Sequence, residues 1–470
     1  MPRPSRIFLT LAILGESLDR LRMEPKRAVV ITYGCQMNKY ESERLAGILV
    51  GLGYEITSQT RGADLILLNT CSIRDKAEQK VYSQLGQLKW LKRDNPDLIV
   101  GVCGCVAQQE GENILQRAPH VDLVFGPQNI PKLPALLTGI QTRRHQLSDL
   151  ADNPLWDEQL FPIQRDSPCQ AWVTVMQGCD KFCTFCVVPY TRGREQSRPT
   201  AAVVHEVQAL ADRGYKEVTL LGQNIDSYGK RSPEGKDLAD LLEMLNPIHG
   251  IERIRFITSH PRDFSEKLMK TVGALDKVCE YIHLPVQSGS SVTLRRMHRG
   301  YTRDDYLVQV ERLRALVPDV ALSTDLIVGF PGESDNDFAQ TVQLVQTVEF
   351  DSMYLFKYSP RPGTRAAMFD DQVSEAVKSE RFNTLLAVQE AIQLRRNRAR
   401  IGRYEEVLVE GPSKKGSVQL TGRTRQNRPV NFVGHPSLTG SLVTVCIEQG
   451  GAHSLEGKVC TDRSARGGED

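Results

Sequence analysis

Gln177-Gly178-Cys179-Asp180-Lys181-Phe182-Cys183-Thr184-Phe185-Cys186 sets three cysteines at a CxxxCxxC spacing, the last one behind an aromatic residue. Thiolates this close in sequence can converge on one metal centre. A [4Fe-4S] cluster offers one iron to each thiolate, so a three-cysteine set leaves one iron open. An open iron can chelate a small molecule carrying an amine and a carboxylate, such as S-adenosylmethionine. An electron delivered through the cluster could then break the sulfonium and give a carbon radical. Structural zinc fits less well, because no fourth thiolate or histidine nearby completes a site. A redox pair would be a lone CxxC at a helix start.

Downstream the chain alternates strand and helix. Strand candidates at 171–176, 217–221, 251–258, 280–284, 320–328 and 352–358 are separated by amphipathic stretches such as 201–213, 304–316 and 337–348. Six βα units with the cysteine loop after the first strand predict an open (βα)6 barrel; a closed one needs about eight. A long helical stretch at 374–400 follows, then short β-prone runs at 405–409, 418–421, 429–433, 442–447 and 457–459. Those runs predict a small barrel of OB-like size, suited to nucleic acid.

Upstream, from Arg27, apolar runs at 29–33, 64–69, 98–103 and 121–125 alternate with helical spacers. This pattern predicts a doubly wound parallel α/β sheet. Cys35, Cys71 and Cys105 lie just past the first, second and third runs. In such sheets the ligand crevice is at the carboxyl ends of the strands, so three strands deliver one thiolate each to one place. A single cysteine there is ordinarily packing. Three at equivalent positions, two beside glycine, read as a second ligand set, with Cys103 read as packing.

The 470 residues suit about two to four domains. A net charge of +2 does not mark the whole molecule as a nucleic-acid binder, so any such contact rests on local clusters. Eleven cysteines, odd in number and clustered, point to metal or redox chemistry in a reducing compartment. The apolar run at 7–15 lacks a small-residue cleavage site and leads into Glu16, Asp19 and Arg20, which argues against an export signal. Met23 is an alternative start. The reading divides the chain into an extension expected to be disordered at 1–26, a first domain at 27–142 and a linker at 143–168. A core at 169–400, the small barrel at 401–465 and a tail at 466–470 complete it.

Loops after the core strands are candidates for cofactor contacts, because a barrel's site lies at its carboxyl-end face. They carry Gln223, Asn224, Ser259, Gln287, Asp325 and Phe330. Basic clusters are candidates for phosphate contacts: Arg192, Arg194 and Arg198 after the cysteine loop, Arg295, Arg296, His298, Arg299 and Arg303 near one helix, and Lys414, Lys415, Arg423, Arg425 and Arg428 in the small barrel. Binding through them would be salt-dependent. A structured RNA with an unstacked loop base is the partner such a site could reach.

Cys179, Cys183, Phe185 and Cys186 resemble the signature of the radical S-adenosylmethionine superfamily. Residues 178–199, with Gly34-Cys35-Gln36-Met37-Asn38, Asn69-Thr70-Cys71-Ser72-Ile73-Arg74 and Gly104-Cys105-Val106-Ala107-Gln108, resemble its methylthiotransferases. The small barrel is similar to a TRAM domain. The resemblance covers nearly everything from Arg27 to Cys460. It implies an auxiliary [4Fe-4S] cluster on Cys35, Cys71 and Cys105, a radical-generating one on Cys179, Cys183 and Cys186, and Phe185 near the adenine of the cofactor. It implies that one S-adenosylmethionine methylates a sulfur on the auxiliary cluster. Another yields the 5′-deoxyadenosyl radical, which takes hydrogen from carbon 2 of an adenine, with no protein acid/base dyad.

The Gln36-Met37-Asn38 and Ser72-Ile73-Arg74 contexts resemble those of members acting on N6-isopentenyladenosine next to the anticodon of tRNA. Rival substrates are threonylcarbamoyladenosine in tRNA and an aspartate of a ribosomal protein. A rival of another class is a non-catalytic iron–sulfur protein that binds RNA or senses redox state. An electron donor such as flavodoxin or ferredoxin, a monomer, a cytoplasmic location and no membrane association complete the expectation.

Overall fold

The computed structural model describes residues 25–72, 75–143, 146–151, 163–413 and 419–460. Residues 1–24 of the extension expected at 1–26, most of the linker, residues 461–465 of the small barrel and the tail at 466–470 lie outside the described residues. The described residues up to Ala151, with 163 and 164, form one compact unit, and those from Arg165 onward form a second.

In the first unit β1 (Arg27–Thr32), β2 (Glu55–Ile56), β3 (Leu65–Thr70), β4 (Ile99–Gly104), β5 (Leu123–Phe125) and β6 (Leu147–Asp149) make one sheet in the order β2-β1-β3-β4-β5-β6. All its pairings are parallel. β3 and β4 are buried along their whole length, which is why they read as unbroken apolar runs. Side chains alternate across the pleat. Leu65 and Leu67 pack with Leu45, Ile48 and Leu49 of the helix Gln36–Gly51. Ile66 and Leu68 pack on the other face with Val81, Leu85 and Leu88 of the helix Asp75–Asp94. The strand order reverses between β1 and β3, and that switch point is where such a sheet opens a crevice.

One boundary needs correction. Leu147–Asp149, inside the stretch read as a linker, is the edge strand β6, paired with Leu123–Phe125. Three residues are too few to show a period, so a strand this short reads as irregular chain.

The second unit begins with β7 (Gln170–Thr174). An antiparallel pair, β8 (Met176–Gln177) and β9 (Gln196–Ser197), closes the neck of the cysteine loop. β10 (Glu217–Leu221) and β11 (Arg253–Phe256) join β7 in one parallel sheet; β12 (Tyr281–His283), β13 (Ala321–Val328) and β14 (Ser352–Lys357) form another. Val173, Leu220 and Ile254 of the first share one continuous core with Ile282, Leu322 and Leu326 of the second. The architecture is the open (βα)6 barrel expected. A helix, Glu375–Arg398, starts at Ser374, whose hydroxyl caps the Val377 N–H.

β15 (Tyr404–Pro412), β16 (Gln419–Thr424), β17 (Pro429–Val433), β18 (Leu442–Gly450) and β19 (Leu455–Val459) close into a small barrel, ordered β15-β16-β17-β19-β18. Buried arginines tie it to the (βα)6 core. Arg253 donates to the Arg423 carbonyl at 2.7 Å and the Glu406 carbonyl at 2.8 Å. Arg255 donates to the Thr424 and Arg425 carbonyls at 2.8 and 2.6 Å. Among the described residues no helix is long and apolar enough to cross a membrane.

Candidate radical and sulfur-transfer sites

The loop after β7 turns at Gly178, where φ is +80° and a Cβ would lie 2.1 Å from the Arg194 carbonyl oxygen. Only glycine fits. The Gly178 N–H donates to Gln223 Oε1 at 2.6 Å, so the loop after β10 fixes the start of the cysteine loop. Asp180 and Glu195 clip its two limbs through reciprocal N–H bonds of 3.2 and 3.4 Å. Thr184 donates its N–H to the Met297 carbonyl at 3.0 Å and its hydroxyl to that of Arg296 at 2.9 Å. Phe182 is held at φ 48°, a conformation that costs a side-chain-bearing residue about 1–3 kcal/mol.

Burial pushes the Cys179 and Cys186 thiols up to about 12. They stay protonated until a metal displaces the proton, as cluster ligation requires. Cys183 Sγ accepts a hydrogen bond of 3.3 Å from Arg299. Arg299, a candidate phosphate contact by its basic neighbours, is instead 6% exposed and turned inward. The pattern of charges along the chain carries no sign of that turn, which is made by His298 at φ 60° and Gly300 at φ 73°.

The loops after the other strands bring the expected cofactor residues to the same end of the barrel. Asn224 is buried and donates to Asp263 Oδ2 at 2.8 Å and Glu195 Oε1 at 3.3 Å. Asp263 in turn pairs with Lys181 of the cysteine loop at 2.5 Å. Ser259 donates to Asp226 Oδ1 at 2.9 Å, and the His260 N–H reaches the other oxygen at 2.8 Å. Burial nevertheless raises the Asp226 carboxyl to about 7. Thr258 and Gln287 sit at φ 72° and 71°, rare for residues with side chains. Such strain collects where a site over-determines the backbone. The buried Gln287 carboxamide makes no hydrogen bond among the described residues. Asp325 approaches His283 at 3.6 Å. Phe185 meets Phe330 edge-on at 6.4 Å, within an apolar cluster that includes Met297 and Tyr358.

In the first unit the turns carrying Cys35, Cys71 and Cys105 are laced together. A Cβ on Gly34 would stand 2.5 Å from the Cys71 Cβ, and one on Gly104, at φ +90°, 2.4 Å from the Thr70 carbonyl oxygen. Asn38 donates to the Thr70 carbonyl at 3.0 Å and Asn69 Oδ1 at 3.1 Å, and Asn69 returns a bond to the Asn38 carbonyl at 2.8 Å. The turn at Cys71 is thus approached closely from both sides, by the turns of Cys35 and Cys105, and three soft thiol donors there suit an iron–sulfur cluster. Among the described residues no three His, Cys, Asp or Glu side chains close around a single ion. A cuboidal cluster asks for something else, one thiolate at each of several irons. Cys103 lies in the apolar cluster under the helix Gln36–Gly51.

The residues expected at RNA divide. Lys414 and Lys415 lie outside the described residues. Arg194 is 58% exposed, paired with Asp180 at 2.6 Å and poised over the Phe182 ring at 5.3 Å. Tyr190, part of the 178–199 motif but not among the expected RNA contacts, is 60% exposed and meets Phe182 edge-on at 6.0 Å. Arg423 is part-exposed and pairs with Glu410 at 2.9 Å. Three expectations need correction. Arg192 is buried. Arg428 is buried against Asp351 and Asn397, and Arg425 is committed to Glu280 at 2.7 Å and the Val278 carbonyl at 2.8 Å. These last two join the barrels, and a run of positive charge in sequence does not distinguish that from a solvated face.

The chain matches three family models: the Uncharacterized protein family UPF0004 over residues 27–126, the Radical SAM superfamily over 173–345 and the TRAM domain over 398–460. A tRNA-2-methylthio-N(6)-dimethylallyladenosine synthase of Carboxydothermus hydrogenoformans is 46% identical over 437 residues, covering 93% of this chain and 99% of that protein. One from Pelotomaculum thermopropionicum is 49% identical over 427 residues, covering 90% and 95%. Among solved structures, the radical S-adenosylmethionine methyltransferase TsrM of Kitasatospora setae superposes with a TM-score of 0.54 at 15% identity, covering 73% of this chain and 77% of that one. The cobalamin-dependent S-adenosylmethionine radical enzyme OxsB gives 0.54 at 14%, covering 79% and 56%. Likeness at that identity shows the fold alone.

Proposed function

This chain belongs to the tRNA-2-methylthio-N(6)-dimethylallyladenosine synthases, radical S-adenosylmethionine enzymes, and from that premise we propose which of its residues do the work. The reaction is methylthiolation of N6-dimethylallyladenosine in tRNA at carbon 2. Cys179, Cys183 and Cys186 hold one [4Fe-4S] cluster, and Cys35, Cys71 and Cys105 hold the other. When bound, the clusters and S-adenosylmethionine supply one-electron cleavage of the sulfonium and the methylated sulfur.

The observation that carries this reading is the convergence on the cysteine loop. Gln223 holds Gly178 at 2.6 Å, and Asp263 holds Lys181 at 2.5 Å. The loop is thus fixed before any ligand arrives, as a preorganised site requires. Phe185 supplies an apolar wall for the cofactor, and the fully buried Phe330 backs it from behind rather than facing the cofactor itself. Asn224 and Ser259 keep the polar loops in register, and Gln287 and Asp325 offer groups to its polar end. Tyr190 and Arg194 offer a ring and a cation to an unstacked RNA base and its phosphate, with Arg423 as a further phosphate contact. The cytoplasm fits eleven cysteines that are all free, and a one-electron donor such as flavodoxin or ferredoxin and a monomeric chain complete the reading.

Anaerobic reconstitution followed by assay for 5′-deoxyadenosine and methylthiolated tRNA tests the assignment. Both products are expected. Two bound clusters with neither product would leave the non-catalytic RNA-binding or redox-sensing protein instead.

A further inference from the structure

We propose that Arg299 is a positioning residue for the cluster on the cysteine loop, and that its guanidinium sets that cluster's reduction potential. The inference rests on the reading that Cys183 is a cluster ligand. Arg299 is 6% exposed. It donates to Cys183 Sγ at 3.3 Å, to the Pro285 carbonyl at 2.9 Å and to the Tyr301 hydroxyl at 3.0 Å.

Among the described residues the Arg299 guanidinium has no counter-ion. Five other buried arginines of this unit reach a carboxylate: Arg253 reaches Glu406, Arg255 Glu217, Arg381 Asp335, Arg400 Asp319 and Arg428 Asp351. Among the described residues Arg299 has three partners, all neutral as the thiol, carbonyl and hydroxyl stand. A buried cation left that way carries an uncompensated desolvation penalty. The surroundings supply one anion that removes the cost, the thiolate set of a bound cluster.

The electrical consequence follows. Hydrogen bonds to the sulfurs and nearby net charge set the potential of an iron–sulfur cluster. One-electron reduction adds negative charge beside a fixed cation, so Arg299 stabilises the reduced form more than the oxidised form. The electron comes from the one-electron donor. Arg299 keeps its protons and forms no covalent bond. The competing reading is mechanical, with Arg299 merely tying the loop after β12 to Tyr301.

The test uses the full-length chain with Cys35→Ala, Cys71→Ala and Cys105→Ala, so that a single cluster remains. That parent, Arg299→Met and Arg299→Lys are reconstituted anaerobically, their iron content measured, and their clusters titrated against potential by electron paramagnetic resonance. At a fixed potential the reduced-to-oxidised ratio of Arg299→Met is expected to fall about tenfold, a midpoint lower by 59 mV. Arg299→Lys, which keeps the charge, recovers most of it. An Arg299→Met cluster with the parent's midpoint overturns the proposal and leaves the ligand assignment standing. A parent that binds no iron overturns the ligand assignment itself. Where Arg299→Met holds no cluster, Arg299→Gln replaces it: a lower midpoint supports the proposal, and an unchanged one overturns it.

Discussion

Cys179, Cys183 and Cys186 ride on one loop after β7, whereas Cys35, Cys71 and Cys105 come one each from the ends of β1, β3 and β4. The loop triad is local. Its spacing is built into ten residues, and side chains from neighbouring loops, such as Gln223 and Asp263, hold it from outside. The strand triad has no local geometry. Its cysteines are brought together only by the register of a parallel sheet, with Asn69 opposite both Thr32 and Cys103. One-residue slips in such pairings exchange the faces of a strand. Disturbance of the first unit's core therefore reaches its triad, while the loop triad answers mainly to the few residues that clamp it.

The largest effect that separates the two comes from removing one ligand from each. Cys186→Ala should abolish both 5′-deoxyadenosine formation and methylthio transfer. Cys105→Ala should abolish transfer and keep 5′-deoxyadenosine formation. Each should lower iron content by about one cluster's worth, four irons. Transfer surviving in Cys105→Ala would break the division of labour.

Next come the glycines. Gly104→Ala places a Cβ 2.4 Å from the Thr70 oxygen at φ +90°, and Gly178→Ala one 2.1 Å from the Arg194 oxygen at φ +80°. Strain of about 1–3 kcal/mol is expected at each. Because Thr70 is part of β3, Gly104→Ala should lower the Tm of the first unit and its iron together. Gly178→Ala should deplete the loop cluster with a smaller loss of Tm, because a loop can shift to relieve strain without breaking a strand pairing. Equal loss of Tm would show that the loop triad is as embedded in its fold as the strand triad.

The same contrast explains what could be read in advance. CxxxCxxC is a spacing, so the loop triad was visible directly. The strand triad was visible through topology: apolar runs such as 64–69 placed strands, and strand ends placed Cys35, Cys71 and Cys105. What stayed hidden is the direction in which a side chain leaves its backbone. Arg428 and Arg299 read like Arg194 as charges in a basic run, yet Arg428 lies against Asp351 and Arg299 against Cys183. Nothing in composition marks a positive residue as inward until its partner from another strand is known. β6 was hidden for a different reason, since three residues do not make a period.

A smaller effect concerns RNA, which the reading places beside the loop triad. Tyr190→Ala should weaken binding of the tRNA anticodon stem-loop, with Tyr190→Phe close to the parent, since stacking needs the ring and not the hydroxyl. Arg194→Ala should lower the slope of log affinity against log salt by about one unit. Unchanged salt slopes would move the phosphate contact elsewhere.

The smallest effect on activity is a tilt in stability against pH, and it tests how far the loop triad's surroundings are electrically separate. Asp226, bonded to Ser259, is raised by burial to about 7 in the folded chain, against about 3.9 when unfolded. Below the unfolded value both states carry the proton and Asp226 adds no slope. Between the two values the unfolded chain ionises while the folded one stays protonated, so the fold holds more protons and stability falls as pH rises. Above about 7 both states are ionised and the penalty is complete. Asp226→Asn should flatten the decline in Tm between pH 5 and 7. Glu333, raised to about 7 by the same cause, is present in parent and variant alike, so the difference between the two curves isolates Asp226. Cys105→Ala, altered only in the other unit, should keep the parent's tilt. If it also flattens the curve, the two triads are coupled through the fold, and the contrast between a local and a sheet-borne ligand set loses its force.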